Sequence, residues 1–313
     1  MKELVIYIDS CYVSARSENI IDCINSIEEN IGIKDYSYYI VCNTFHVEDL
    51  KSVYESLIGD KIFKLVEKES NGTWADNFNT FVDDCKNDFR VLMMSHDDLK
   101  IDTKDFYNIY LEETKDINPD ELGWTTFSNI GYQKRGKLLA NSVREGISVD
   151  RIGSDKIKTE CHTGDVNNLD WPKRTCVVWS TFHMLNIISF KNILKFHPLT
   201  VLTNWSVLAD EDFNLEAMLN GMDNIWIPYV KYQHPLRVEG RIGSGKGTTH
   251  RSHDEGEYNF SKKWGITWRV RNYTDEDVES LLNRYPDSRL QKFAGRCSYD
   301  YIYLDEYLKE KGE

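Results

Sequence analysis

The sequence predicts an α/β protein: a mixed, mostly parallel sheet flanked by helices, with a small C-terminal extension. Two observations carry this. Over the first hundred residues, apolar runs of strand length alternate with amphipathic segments of helical length, the signature of right-handed βαβ units covered on both faces. Three of the strand-like runs end in polar residues, Asp9-Ser10, Asn43-Thr44 and His96-Asp97-Asp98. In a parallel sheet such ends converge on one crevice, where ligands bind.

The elements follow in order. Residues 3–9 (ELVIYID) are an apolar run bounded by an acid, hence a strand. Residues 17–30 place Ile20, Ile21, Ile24 and Ile27 at helical spacing. Residues 37–43 (SYYIVCN) are a second strand. Residues 46–58 carry Val47, Leu50, Val53 and Leu57, with Gly59 as the stop. Residues 61–66 (KIFKLV) are a third strand. Residues 74–86 put Trp74, Phe78, Phe81, Val82 and Cys85 on one helical face, and residues 89–94 (FRVLMM) form a fourth strand broken by the polar Ser95-His96-Asp97-Asp98. Beyond this the pattern loosens. Residues 124–172 read as loop-rich, 175–181 (TCVVWST) as a strand, 206–221 as a helix, and 224–230 (NIWIPYV) as a strand ending near His234. Residues 236–259, rich in Gly, Arg, His and Ser, read as a mobile loop. Residues 275–284 read as a late helix with Thr274 as N-cap.

Composition sets further bounds. The chain has 313 residues, 51 acidic and 38 basic, for a formal charge of −13. A hydrophobic fraction of 41% and aromatic fraction of 12% suffice for a buried core, which excludes a wholly disordered chain. The acidic balance argues against nucleic-acid binding through phosphates. No apolar run approaches the ~20 residues of a membrane span. The N-terminus reads as a strand rather than a signal peptide. Seven cysteines without a CxxC pair fit neither a disulfide framework nor a structural zinc site. Cys23, Cys42 and Cys85 sit among apolar residues and are expected in the core.

Asp97-Asp98 directly follows a buried-type strand. Paired carboxylates there either start a turn or bind a hard divalent cation that holds a diphosphate. The first hundred residues resemble a GT-A nucleotide-sugar glycosyltransferase, family 2 in particular. The resemblance lies in Val91-Leu92-Met93-Met94-Ser95-His96-Asp97-Asp98-Leu99, which is similar to the strand and acidic loop that bind metal and sugar nucleotide. It lies also in Ser70-Asn71-Gly72-Thr73-Trp74-Ala75-Asp76-Asn77, which resembles an Asn/Gly-rich stretch upstream of that loop. The resemblance implies that Asp98 is a ligand of Mn²⁺ or Mg²⁺. It also implies that Asp9, Ser10, Asn43, Asn71, Asn77 and Asp97 face the nucleotide sugar. His96 replaces the usual first acid of the loop.

A second acidic cluster reads Asp210-Glu211-Asp212-Phe213-Asn214-Leu215. On a helix, Asp212, Leu215 and Leu219 share a face, so Asp212 points inward from a first turn that favours a carboxylate. An acid there either caps the helix or, with a reference pKa of about 4, serves as an ionised general base. The segment resembles the family's Glu-Asp motif, which implies Glu211 and Asp212 as catalytic residues and Asp212 as the base. Gly221, the apolar run 225–230 and His234 follow in the family's order. His234 is then a candidate to complete the metal shell, with His250 and His253 as competitors.

Residues 240–248 (GRIGSGKGT) look like a phosphate-binding P-loop. They lack the buried strand before and the helix after that the motif requires. A basic loop closing over the diphosphate, with Lys246 in contact, is the better reading. The expected organisation is a GT-A domain over 1–235, with a nucleotide-binding half (1–100) and an acceptor half (101–235). Residues 236–313 form a Gly/basic loop and helical extension. The expected activity is inverting transfer of a sugar from a nucleoside diphosphate sugar to a hydroxyl of a glycan or glycoconjugate. A nucleotidyltransferase, a P-loop kinase and a non-catalytic sugar-binding relative are the alternatives. The expected location is the cytoplasm, with lipid-linked glycans at the membrane surface within reach.

Overall fold

The protein is described by a computed structural model over residues 1–10, 17–43, 47–68, 74–85, 87–129, 133–134, 137–138, 142–152, 156–165, 173–175, 182–187, 217 and 222–234. Its first part runs β1 (Lys2–Ser10), α1 (Ser17–Asn30), β2 (Tyr36–Asn43), α2 (Val47–Ile58), a 3₁₀ turn (Gly59–Lys61), β3 (Ile62–Lys68), α3 (Trp74–Cys85) and β4 (Phe89–His96). Then come β5 (Lys100–Ile101), α4 (Phe106–Thr114), β6 (Leu122–Asn129), β7 (Gln133–Lys134), β8 (Lys137–Leu138), β9 (Ser142–Ile152) and β10 (Lys156–Asp165). β11 (Lys173–Thr175), β12 (Phe182–Asn186) and β13 (Asp223–Gln233) complete the set.

Nine strands form one sheet in the order β11-β13-β6-β12-β4-β1-β2-β3, with β5 paired to β13. β1 to β4 are mutually parallel. β12 runs antiparallel to β4 and β6, β13 is parallel to β6, and β11 and β5 are antiparallel to β13. Six strands therefore point one way and three the other, the mixed, mostly parallel sheet expected.

The continuous apolar runs have a direct cause: both faces of the central strands are covered. Leu4, Ile6 and Ile8 of β1 pack on one face with Ile20, Cys23, Ile24 and Ile27 of α1 and Leu50 and Tyr54 of α2. Val5 and Tyr7 pack on the other with Phe78, Phe81, Val82 and Cys85 of α3. This distribution follows from handedness. The chain moves outward from β1 to β2 to β3, then returns past β1 to β4. Right-handed crossovers in opposite directions place their helices on opposite faces. The reversal lies between β1 and β4, so their carboxyl ends flank the crevice in which such sheets bind ligands. Cys23, Cys42 and Cys85 are core residues, as expected.

Several details differ from the sequence reading. β4 continues through Ser95 and His96, because pairing of Ser95 with Phe182 and Ile8, and of His96 with Asp9, extends the ladder past the apolar run. The α-helix stops at Ile58, directly before Gly59 as expected, and Gly59 then opens the 3₁₀ turn. The segment 124–172 is not loop-rich: it holds β6 and a long antiparallel hairpin of β9 and β10. Of the expected strand 175–181, Thr175 is described and ends β11, and residues 176–181 lie outside the described residues. Of the expected helix 206–221, Ala217 is described. It is helical and fully buried, and its carbonyl accepts from Met222 N–H at 3.1 Å. The loop at 236–259 and the helix at 275–284 lie outside the described residues.

One glycine has a specific duty. Gly32 turns the chain from α1 toward β2 with φ of +82°. A Cβ there would lie 2.9 Å from the Asp105 Cα and from the Asn108 side chain. Gly32→Ala is expected to cost about 1–3 kcal/mol, since L residues are strained at positive φ. A urea-unfolding midpoint unchanged by the substitution would refute this.

Candidate functional site

The switch-point crevice is built from backbone ends. Asp9 and Ser10 finish β1, His96 finishes β4, and Asp97-Asp98 form the turn into β5. The turn is held from beneath. Ser10 Oγ donates to Asp97 Oδ2 at 2.8 Å, with both side chains buried. The His96 carbonyl accepts from Cys23 Sγ at 3.4 Å and from Ser95 Oγ at 2.9 Å. Further on, Ile101 N–H donates to Ser26 Oγ at 3.0 Å, and Asn30 Nδ2 donates to the Ile101 carbonyl at 2.8 Å. Two polar side chains of α1 thus satisfy backbone groups that burial would otherwise leave unpaired. They fix the strand into which the acidic turn leads. Ser26 and Asn30 carry no signal of this role in the sequence, because a polar residue on an amphipathic helix reads as solvent-facing.

β13 supplies the far wall. It runs antiparallel to β5 with Tyr232 opposite Ile101 and Gln233 opposite Lys100. Gln233 Nε2 donates to Asp102 Oδ2 at 2.7 Å, and Lys231 N–H donates to Thr103 Oγ1 at 2.8 Å. This register carries His234, one residue on, to the Asp97-Asp98 turn. His234 Nε2 lies 3.0 Å from Asp98 Oδ1, and both side chains are largely buried. The His96 and His234 rings stand edge to face, with centroids 5.2 Å apart. One donor atom each of His96, Asp98 and His234 lies within 4.8 Å of the others.

These residues fit a divalent ion. Bonds of about 2.1 Å at right angles put neighbouring ligands about 3 Å apart, the separation of His234 from Asp98. The donors are two imidazoles and one carboxylate, all groups that bind metals. Asp9 and Asp97 stand at the same sheet edge, so a cation there also offsets mutual repulsion among carboxylates.

On the other side, Asn77 of α3 is fully buried and donates from Nδ2 to Asp9 Oδ2 at 2.8 Å. Its Oδ1 finds no hydrogen-bond partner among the described residues. Tyr54 of α2 is buried, and burial together with the Asp97 carboxylate raises its phenol well above the ordinary value. Burial, then the Asp97 and Asp98 carboxylates, raises the Cys23 thiol strongly. Burial and the Glu67, Asp9 and Asp97 carboxylates push Cys42 up to about 12. Both thiols stay protonated at neutral pH, which removes them as nucleophiles.

The structure therefore brings Asp9, Ser10, Asn77, Asp97, Asp98 and His234 to one edge, with the backbone of Asn43 at the end of the neighbouring β2. Asp97 faces inward onto Ser10, while Asp98 faces His234. His96, read in the sequence only as a departure from the acidic loop, joins the donor cluster. Asn71, Glu211, Asp212, Lys246, His250 and His253 lie outside the described residues. Among the described residues, no helix is long and apolar enough to cross a membrane.

No family model and no curated protein matches the sequence. Solved structures do. The crystal structure of GalNAc-T7 with UDP, GalNAc and Mn²⁺ aligns at a TM-score of 0.57 and 12% identity, over 96% of this chain and 58% of that one. The chain thus spans little more than half the length of GalNAc-T7. Residues 1–349 of S. aureus TarS align at 0.51 and 14% identity, covering 93% of this chain and 74% of that one. The same TarS fragment in complex with UDP-GlcNAc gives 0.52 and 13%, covering 95% and 77%. With β1 to β4 parallel, the chain reversing between β1 and β4, and an acidic turn closing β4, these alignments establish that the chain has the GT-A fold of nucleotide-sugar glycosyltransferases.

Proposed function

We propose that the protein is a metal-assisted glycosyltransferase. It moves a sugar from a nucleoside diphosphate sugar to a hydroxyl of a glycan or glycoconjugate, inverting the anomeric centre. The observation that carries this reading is the meeting of His96, Asp98 and His234 at the switch point of a GT-A sheet. The solved neighbours hold UDP with Mn²⁺ or UDP-GlcNAc, so UDP-sugars are the first donors to try.

In this reading Asp98 and His234 hold Mn²⁺ or Mg²⁺, and the ion when bound supplies positive charge opposite the diphosphate. Asp97, tied to Ser10, keeps the turn in place. Asp9, oriented by Asn77, lies with Asn43 and Asn71 on the nucleotide side. Asp212 takes the proton of the acceptor hydroxyl as its oxygen bonds the anomeric carbon, and the bond from that carbon to the diphosphate oxygen breaks. Glu211 stands beside the base. The transition state is oxocarbenium-like, as in other glycosidic chemistry. Residues 1–235 make up the catalytic domain. Lys246 belongs to a loop of the 236–313 extension that closes on the diphosphate and excludes water. The protein acts in the cytoplasm.

The test is a thermal-shift panel of UDP, GDP, dTDP, CMP and ATP, each with and without Mn²⁺. A ligand that binds only the folded state adds about 2.7 kcal/mol of stability at 100 times its dissociation constant. One diphosphate is expected to raise the melting temperature only with Mn²⁺ present. A shift with ATP alone, abolished in Lys246→Ala, would overturn the reading in favour of a P-loop enzyme. No shift with any nucleotide would favour a non-catalytic relative.

A further inference from the structure

We propose that Tyr54 of α2 is a positioning residue for the donor site. It is the first donor of a buried relay that runs from Tyr54 Oη to Ser10 Oγ to Asp97 Oδ2 and holds the acidic turn from beneath. The inference rests on the reading of the crevice as the donor site, and Tyr54 acts there through Ser10 rather than on the ligand. Side chains alternate along β1, so Ser10 stands on the face of Leu4, Ile6 and Ile8, which α1 and α2 cover. The sheet register sets Ser10 beside Cys42 of β2, and Cys42 and Tyr54 belong to the same core. Ser10 and Tyr54 are fully buried.

A count of protons gives the relay its direction. Ser10 has one hydroxyl proton, which goes to Asp97 Oδ2 at 2.8 Å. Toward a second partner Ser10 is therefore an acceptor. Tyr54 is the complementary group. Burial, then the Asp97 carboxylate, keeps its phenol protonated, and the Ser10 hydroxyl bears on it at hydrogen-bonding range. The nearby thiols of Cys23 and Cys42 are weak acceptors. Tyr54 Oη has no partner in full hydrogen-bond geometry, and a buried O–H seldom stays unpaired, which favours closing the contact to Ser10. Two hydroxyls in series on a carboxylate polarise one another and hold the Asp97 side chain to one orientation. Asp98 is the next residue of the same turn, so a loosened Asp97 lets the carboxylate that faces His234 drift.

The experiment uses the full-length chain with tyrosine labelled with ¹³C at Cζ, the ring carbon that bears the hydroxyl, and Tyr54→Phe assigns the Tyr54 signal. That signal is expected to move in Ser10→Ala and to stay in place in Ser10→Thr, which keeps the hydroxyl. Each variant is also melted metal-free and titrated, with Mn²⁺ present, with the diphosphate that binds, UDP first. Tyr54→Phe is expected to weaken Mn²⁺-dependent binding about three- to tenfold, with the melt little changed. The double variant Ser10→Ala/Tyr54→Phe should bind no worse than Ser10→Ala alone, because one chain is then cut twice. A Tyr54 signal that does not respond to Ser10→Ala, or equal affinity of Tyr54→Phe and wild type, overturns the proposal. If Asp98→Asn still abolishes Mn²⁺-dependent binding in that case, the donor site stands without the relay. Failure of the wild type to bind UDP, GDP or dTDP with Mn²⁺ overturns both.

Discussion

Asp98→Asn is expected to lose metal-dependent donor binding and at least about a hundredfold in kcat/KM. Lewis-acid stabilisation of charge at a diphosphate is worth several kcal/mol, and each 1.4 kcal/mol is tenfold. Asparagine keeps the size of the side chain and an oxygen 3.0 Å from His234 Nε2, but it removes the charge that holds a cation. The fold should survive, because the turn is anchored through Asp97 on Ser10 and through Ile101 on Ser26 and Asn30 rather than through Asp98. The measurement pairs turnover of a UDP-sugar with a thermal melt of the metal-free protein. An unchanged melt with lost Mn²⁺-dependent UDP binding is the expected outcome. Full activity in Asp98→Asn would remove Asp98 from the metal site.

Asp212→Asn is expected to act on a different step. A positioned general base contributes roughly 10²–10⁴-fold, so kcat should fall by that amount while donor affinity and the Mn²⁺ requirement persist. Hydrolysis of the donor by water is the informative companion assay. If transfer to the acceptor falls with Mn²⁺-dependent UDP binding intact, the defect lies in proton removal and not in the donor site. If kcat is retained, another group is the base. The two substitutions together separate holding the donor from activating the acceptor.

The parallel half of the fold was legible because its physics is local. Strands buried on both faces must be apolar at every position, and the helices covering them must be apolar on one face. Each of β1 to β4 and α1 to α3 therefore announces itself within a dozen residues. The hairpin of β9 and β10 gave no such signal. Its segments SVREGISVDRI and KIKTECHTGD mix charged and apolar residues, and pairing with each other supplies the backbone hydrogen bonds that make them strands. α4 (FYNIYLEET) buries Phe106, Tyr107, Tyr110 and Thr114 on one face, but the flanking Ile109 and Leu111 blur that stripe in the sequence. The last two residues of β4 escaped because Ser95 and His96 are polar. They are strand only through the ladders with β1 and β12.

The candidate site divides in the same way. Asp97 and Asp98 stood out because two acids at the end of an apolar strand, after repeated βα units, have few purely structural explanations. The division of labour between them was invisible, since it depends on Ser10 reaching Asp97 from a neighbouring strand. His234 was legible as a candidate through its place in the family's order, after the Glu-Asp motif, Gly221 and an apolar strand. His96 read merely as a missing acid. What the sequence by itself determined is the four-strand core, its helices and the chemistry stored at one sheet edge, all encoded in short-range periodicity. Only the tertiary structure decided that His96, Asp98 and His234 share one volume. Their meeting depends on the pairing of β13 with β5 and the twist of the sheet, and register between distant strands is set by the packing of the whole core rather than by any local run of residues.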